Sequence, residues 1–359
     1  MGPMALKREV ISAYLLIPVT LLAIVLGSTT SNGYLNRNNL IGLVTDYLLG
    51  FFFLNVGLEL KFELSEGVLV NRKLLVISLF SAVIGMVVPA AIYVFLCRAN
   101  GISHSGWGIT MATDLPLVLV VLSIFKQNRI RGFILALATF DDIGSVIVLS
   151  ILYHQNFHGI YFLSFLAVLV LYFVLSRFLT NIVLGAFLFI LALYFGRHSG
   201  VQSSLIGVAF GIMTSVRVAN RESINARMRK FIEPFTAFIV VPLFIFVSLD
   251  RNFHFTLQLL SSAILVSLVL ARLIGKPLGI FFGALVAKTI LKVQLPFNYF
   301  ELLLVGALAT LGLSVSLLFA EKDFSGTNQT LAVLAILVII PLGILLSFVV
   351  RVAEKKSAI

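Results

Sequence analysis

The chain has 359 residues, 60% of them apolar and only 11% charged, with a mean hydropathy of +1.10. Soluble domains carry about 25% charge, and no polar stretch here is long enough to form one, so the composition specifies an all-α polytopic membrane protein with residues 1–359 in a single transmembrane domain. The net charge of +11 reads as basic loops facing the cytoplasm rather than a nucleic-acid surface, and the lone Cys97 excludes an internal disulfide.

Apolar segments of about 20 residues, enough to cross a bilayer, fall near 10–27, 40–63, 74–96, 106–125, 132–153, 160–179, 182–196, 201–217, 232–249, 258–285, 300–320 and 329–350. They predict about twelve transmembrane helices, of which 182–196 is the shortest. The first run ends at Gly27 without a small-residue cleavage pattern and reads as helix one, not as a signal peptide. With the N-terminus inside, inner loops and termini hold eighteen Lys and Arg, among them Lys126, Arg217 and Arg221. The outer loops hold five: Arg37, Arg98, Arg197, Arg251 and Lys322. This bias predicts that both termini are cytoplasmic.

Polar residues inside the spans carry the functional information, because a charge at the centre of a membrane helix costs roughly 2.5–3.5 kcal/mol on insertion scales. Segment two holds Asp46, Glu59, Lys61 and Glu63. Glu59 and Glu63 lie one turn apart and share a face, which reads either as solvated interfacial charge with Lys61 snorkelling or as a negative mouth that concentrates cations. In segment four, Pro116 follows Thr113-Asp114-Leu115. Proline disfavours helical geometry in the residue before it and sits comfortably in a first turn. A break is therefore expected near Asp114 and Leu115, with a second half-helix starting there and Asp114 near its N-cap position.

Segment five sets Asp141-Asp142 between the apolar runs FILALATF and IGSVIVLS. Successive helical residues point about 100° apart, so the two carboxylates have different partners. Two ionised carboxylates with no cation nearby are unfavourable, which gives a pair able to exchange a proton for a small hard cation such as Na⁺ or Li⁺. Segment ten supplies Lys276 deep in the span and Arg272 one turn earlier on the same face. Asp141 and Asp114 are the obvious anions for Lys276, which is able to exchange a proton where Arg272 is not. In segment eleven, Ala309-Thr310-Leu311-Gly312 echoes Ala112-Thr113-Asp114-Leu115, as in an inverted repeat whose broken helices cross at mid-membrane.

The stretches FFFLNVGLELKFEL, GWGITMATD, LATFDDIG, SGVQSSLIGV, VPLFIF, LIGKPLGI and VGALATLGLSVS together resemble the NhaA family of bacterial sodium/proton antiporters, in family order from about Leu48 to Ala320. The resemblance implies twelve helices in inverted repeats, with helices four and eleven interrupted and crossing. It implies that Asp142 is the principal sodium and proton carrier and that Asp141 pairs with Lys276. Thr113 and Asp114 would form the unwound centre of helix four, with Asp114 offsetting the half-helix dipoles. Asp46, Glu59 and Glu63 would belong to the cytoplasmic funnel. Transport would be electrogenic and driven by the proton gradient.

The sequence also departs from the family. Pro116 is unusual in helix four, and the helix-eleven break is poorer in glycine. Arg272 stands where the family is small and apolar, as an extra cation able to compete for Asp141. Gln202, Lys230 and Glu233 replace histidines, the last two in the family's pH-response region. The loop Ser28–Asn39 is too short for the β-hairpin that joins family protomers, so a homodimer would lack that contact.

The expectation is an inner-membrane Na⁺(Li⁺)/H⁺ antiporter working by alternating access in pH homeostasis, with lipids and the transported ions as partners and no cofactor. The rival readings are an antiporter for another monovalent cation and a non-transporting sodium or pH sensor on the same scaffold. An enzyme is not expected: an intramembrane aspartyl protease needs facing aspartates on separate helices, and adjacent Asp141 and Asp142 cannot converge that way.

Overall fold

The computed structural model describes residues 3–29, 39–125, 127, 129–153, 157–178, 181–216, 223–250, 261–292 and 295–357, all helix and connecting turns with no strand among them. Most of the loop Ser28–Asn39, and the loop cations Arg37, Lys126, Arg217, Arg221 and Arg251, lie outside the described residues. Six helical segments are long and apolar enough to cross a membrane: Arg72–Ala99, Trp107–Phe125, Arg131–Leu152, Ile224–Ser248, Ala263–Ile290 and Gly326–Ser357. Shorter apolar helices include Gly159–Leu175, Ile182–His198, Ser203–Met213 and Tyr299–Leu308.

The chain forms two compact units. The first comprises Met1–Leu35, Asn71–Ser145 and Ser248–Ile359. It contains α1 (Pro3–Thr29), α3 (Arg72–Ala99), a 3-10 turn (Trp107–Thr110), α4 (Leu115–Phe125) and the first part of α5 (Arg131–Leu152). Four later helices complete it: α11 (Ala263–Leu291), α12 (Tyr299–Leu308), α13 (Ser314–Asp323) and α14 (Gly326–Ser357). Helix α11 lies against α3 with backbone touching backbone, because glycines meet at the crossing. A Cβ on Gly279 would stand 2.7 Å from the Ile84 carbonyl and 2.9 Å from Gly85 Cα. Val118 and Leu122 of α4, Phe133 and Leu137 of α5, Ile280 of α11 and Val305 of α12 close a buried apolar core beside this crossing.

The start of α11 differs from the hydropathy expectation of residue 258. The Ser262 hydroxyl accepts a hydrogen bond from Leu265 N at 3.3 Å and sets the helix start by capping, a signal hydropathy does not carry. Helix α12 starts with a capping box: Asn298 Oδ1 accepts from Glu301 N at 2.6 Å while Glu301 Oε2 accepts from Asn298 N at 2.9 Å.

The second unit comprises Asn36–Val70 and Val146–Val247. Its helices are α2 (Asn39–Ser65), α6 (Gly159–Leu175), α7 (Ile182–His198), α8 (Ser203–Met213) and α9 (Ile224–Phe235), the last continuing through a π turn (Thr236–Val240) into α10 (Val241–Ser248). Leu54, Phe165, Tyr172, Phe189 and Phe210 form its core, with the Tyr172 and Phe210 rings stacked at 3.8 Å. The expected span 232–249 is the later part of one continuous run from Ile224, whose amphipathic first turns contain Arg227, Arg229 and Lys230 and escape a hydropathy window.

Candidate functional site

Two non-helical stretches of the first unit meet at the site. Met111–Asp114 joins the 3-10 turn to α4, and Ala309–Leu313 joins α12 to α13. Pro116 sits in the first turn of α4, where its missing N–H costs nothing, and the stretch Met111–Asp114 ahead of that turn is non-helical. The stretches bond to each other: Asp114 N donates to Leu311 O at 2.8 Å, and Thr113 Oγ1 lies 2.9 Å from Ala309 O. Backbone groups left without helical partners are thereby satisfied across the meeting point.

Asp114 occupies the N-cap position of its own helix, since Val118 N donates to its carbonyl at 3.1 Å. Its carboxylate, however, caps the other helix. Ser314 N donates to Oδ2 at 2.8 Å, Leu313 N donates to the same oxygen, and the Ser314 hydroxyl donates to Oδ1. A carboxylate at the α13 N-terminus meets the positive end of that helix dipole. Asp114 is 8% exposed.

Asp141 and Lys276 are both fully buried, and Lys276 Nζ lies 2.7 Å from Asp141 Oδ2. The ammonium also donates to Met111 O, and Thr113 Oγ1 stands 2.8 Å from Asp141 Oδ2. One carboxylate oxygen is therefore held by an ammonium and by a hydroxyl whose single proton it shares with Ala309 O. The other, Oδ1, is buried with no hydrogen-bond partner. Asp142, half-buried on the next position of α5, is close enough for its charge to act on Lys276.

Arg272 is fully buried one turn from Lys276 on α11. Its guanidinium donates to Ile109 O at 2.9 Å, to Ser316 Oγ at 2.7 Å and to Ala112 O. These partners are the carbonyls that emerge from the 3-10 turn and a hydroxyl of α13, not Asp141. The planar fork of donors suits several acceptors at fixed angles.

The remaining sequence candidates lie in the second unit, each in its own surroundings. Asp46, near the start of α2, pairs with Arg197 at 3.3 Å, and Arg197 also covers the Tyr47 ring. Glu59 and Glu63 lie about 20 and about 26 Å further along the same helix, at 1.5 Å per residue. Glu63 is buried and accepts from Val68 N at 2.8 Å, so it closes the end of α2. Glu59 is half-buried, with Arg229 and Glu233 of α9 within electrostatic reach. Gln202 donates to Tyr153 O at 2.6 Å.

Sequence reasoning missed Ser314, Ser316 and the carbonyls of Met111 and Ala309. The run Ser314-Val315-Ser316, directly after the ATLG echo, held the only hint: hydroxyls at alternate positions where an apolar helix starts.

The long apolar helices, with buried charges gathered around two non-helical stretches, define a multi-pass membrane protein. Residues 4–351 match the family model described as Na+/H+ antiporter 1, and the chain belongs to that family. It is 28% identical over 351 residues to the Na(+)/H(+) antiporter NhaA of Proteus mirabilis (strain HI4320), covering 90% of this chain and 88% of that protein. To NhaA of Salmonella arizonae it is 30% identical over 327 residues, covering 88% and 83% of the two chains. To NhaA of Escherichia coli O6:K15:H31 (strain 536 / UPEC) it is 31% identical over 309 residues, covering 83% and 78%.

Proposed function

We propose that this chain is a Na⁺(Li⁺)/H⁺ antiporter in which Asp141 and Asp142 bind sodium or protons in competition and alternating access carries the exchange. Membership of the Na+/H+ antiporter family supports the ion pair exchanged. The observation that carries the site is the unpartnered Asp141 Oδ1, buried beside a second carboxylate. A buried acceptor without a partner costs about 1–3 kcal/mol, and a proton or an alkali ion removes that cost on arrival. Hard oxygen donors of this kind, with Thr113 and nearby carbonyls to complete a shell, suit Na⁺ or Li⁺.

In this reading Lys276 is the exchangeable partner of Asp141, and Asp114 offsets the dipole at the α13 N-terminus. The two non-helical stretches are the interruptions of helices four and eleven in a twelve-helix inverted repeat, all in one transport domain. The protein resides in the bacterial inner membrane with both termini in the cytoplasm, as the Lys and Arg bias suggests. Glu59 and Glu63 belong to the cytoplasmic entrance, and Asp46 stands apart from it with Arg197. The ions are cargo, no resident cofactor is required, no covalent chemistry is involved, and any homodimer forms without a hairpin contact. More protons enter than sodium ions leave, which makes exchange electrogenic.

Dye-reported proton flux in everted vesicles energised by respiration tests this directly. Prompt dequenching on adding Na⁺ or Li⁺, absent in Asp142→Asn, is the expected result. No dequenching with Na⁺, Li⁺ or K⁺ from well-folded protein would move the reading to a non-transporting sensor, and a response to K⁺ alone to a different cation.

A further inference from the structure

Arg272 and Lys276 lie one turn apart on α11, both fully buried, and divide the carbonyls of one short segment between them. Lys276 donates to Met111 O, and Arg272 donates to Ala112 O and, at 2.9 Å, to Ile109 O. Only Lys276 also meets a carboxylate, Asp141 Oδ2 at 2.7 Å. Arg272 forms no ion pair among the described residues, and its Nε is buried without a hydrogen bond. A buried guanidinium that bonds backbone and no carboxylate compensates the charge of the site as a whole rather than that of one residue.

The second non-helical stretch is shaped around this group. A Cβ on Gly312 would overlap Arg272 Nη2 and stand 2.5 Å from Ala112 O, so glycine admits the guanidinium between the two stretches. On the far side its Nη1 donates to Ser316 Oγ of α13 at 2.7 Å. The charges that act on it are Asp114 at the end of the first stretch, Asp141 on α5 and Lys276 on its own helix, and Asp142 acts on Lys276 in turn. Helices α3, α12 and α14 carry charged side chains only near their ends, and α13 offers the Ser314 and Ser316 hydroxyls here.

Arginine keeps its charge in an interior, whereas a buried lysine gives up its proton readily. With every group ionised, the three carboxylates Asp114, Asp141 and Asp142 face the two cations Arg272 and Lys276, leaving one net negative charge. When Na⁺ arrives and Lys276 loses its proton, the balance is again one negative charge. Without Arg272 the same state would carry two.

We propose that Arg272 is a positioning residue of the ion site, a permanent counter-charge seated between the two non-helical stretches that keeps the carboxylates compensated when Lys276 releases its proton. The proposal rests on the antiporter reading and divides two tasks within it: Arg272 holds the backbone and the fixed charge, and Lys276 exchanges.

Two assays of the purified full chain test this across the neutral to alkaline range: sodium-dependent proton flux in proteoliposomes, and stabilisation by Na⁺ against thermal unfolding in detergent. In the neutral variants Arg272→Gln and Arg272→Met, protons are harder to remove from the site. The pH of half-maximal sodium response should therefore rise by about one unit in both assays. Loss of stability alone would not move that midpoint, and two neutral variants keep the test open if one fails to fold. Arg272→Lys keeps the charge without the fork and should stay near the wild-type midpoint. Wild-type midpoints in the neutral variants would overturn the proposal and leave Arg272 as a brace. A midpoint displaced as far in Arg272→Lys as in Arg272→Gln would overturn it as well, since geometry and not charge would then be responsible. Wild-type protein without a sodium response in either assay would defeat the antiporter reading and this proposal together, so the two failures are distinguishable.

Discussion

Lys276 Nζ lies 2.7 Å from Asp141 Oδ2 with neither side chain exposed to solvent. Removing one partner of a buried pair leaves an uncompensated charge and costs about 3–5 kcal/mol. Lys276→Ala is therefore expected to lower thermal stability in detergent by about that amount, with Thr113 the remaining hydrogen-bond partner of Asp141. The paired neutral variant Lys276→Gln/Asp141→Asn should recover much of the loss, because neither charge is then stranded. Equal melting temperatures for wild type and Lys276→Ala would show that the pair does not hold the fold.

Asp142 follows Asp141 on α5 but is half-buried, so it is the more accessible carboxylate of the two, and the proposed exchange places the arriving ion on it. Asp142→Asn should abolish sodium-dependent proton flux while leaving the unfolding temperature within a few degrees of wild type. Wild-type turnover in this variant would remove Asp142 from the ion site.

The parts of this site legible in the sequence are those where an apolar run is interrupted by something costly. Asp141, Asp142, Lys276 and Arg272 stand out because charges inside such runs need partners, and Pro116 marks the break at Asp114 through backbone sterics alone. The partners themselves were less legible. Asp114 was expected near the N-cap of its own helix, and its backbone is there, yet its carboxylate caps a helix 200 residues further on. Arg272 reads as a cation able to compete for Asp141; its charge does reach Asp141, while its hydrogen bonds go to the carbonyls of Ile109 and Ala112. Both outcomes depend on how two non-helical stretches meet in space, which no local pattern encodes. Hydropathy also set helix limits imperfectly at Ser262 and Ile224, where capping and amphipathic turns decide.

The Asp114 carboxylate accepts from Leu313 N, Ser314 N and the Ser314 hydroxyl, a cap on α13 built entirely across the chain. Hydrogen bonds to a charged acceptor contribute about 1.5–3 kcal/mol each at most, and a cap typically about 1. Asp114→Ala should cost at least about 2 kcal/mol, whereas Asp114→Asn keeps an acceptor oxygen and should cost less. Ser314→Ala removes one donor only and should fall between wild type and Asp114→Asn. Thermal unfolding of the three variants checks the order, and equal stability of wild type and Asp114→Ala would refute the cap.

Arg272 joins α11 to Ile109 O, Ala112 O and Ser316 Oγ through a single planar group. Arg272→Met strands the Ala112 carbonyl and leaves Ile109 O with only the Ser316 hydroxyl at 3.3 Å, a loss of about 1–3 kcal/mol for an acceptor left unpaired. Arg272→Lys restores the charge without the fork, so it should remain destabilised yet keep sodium-dependent flux. Flux that disappears in Arg272→Lys while the protein stays folded would instead place the guanidinium itself in the transport step.

Helices α2 and α8 cross at Gly57 and Gly211. A Cβ on Gly57 would stand 2.9 Å from Val208 Cα and 3.1 Å from Gly211 Cα, closer than atoms of a rigid helix backbone tolerate. Relief requires the helices to separate, and overpacking of this kind typically costs about 1–3 kcal/mol. Gly57→Ala and Gly211→Ala should each lower the unfolding temperature. Their double variant should fall short of the sum, because the first substitution already opens the crossing that the second would strain. Gly159→Ala is the control: its nearest contact is an ordinary 3.9 Å to the Phe157 ring, so its stability should match wild type. Equal stability of Gly57→Ala and Gly159→Ala would show that this crossing has slack the backbone distances deny.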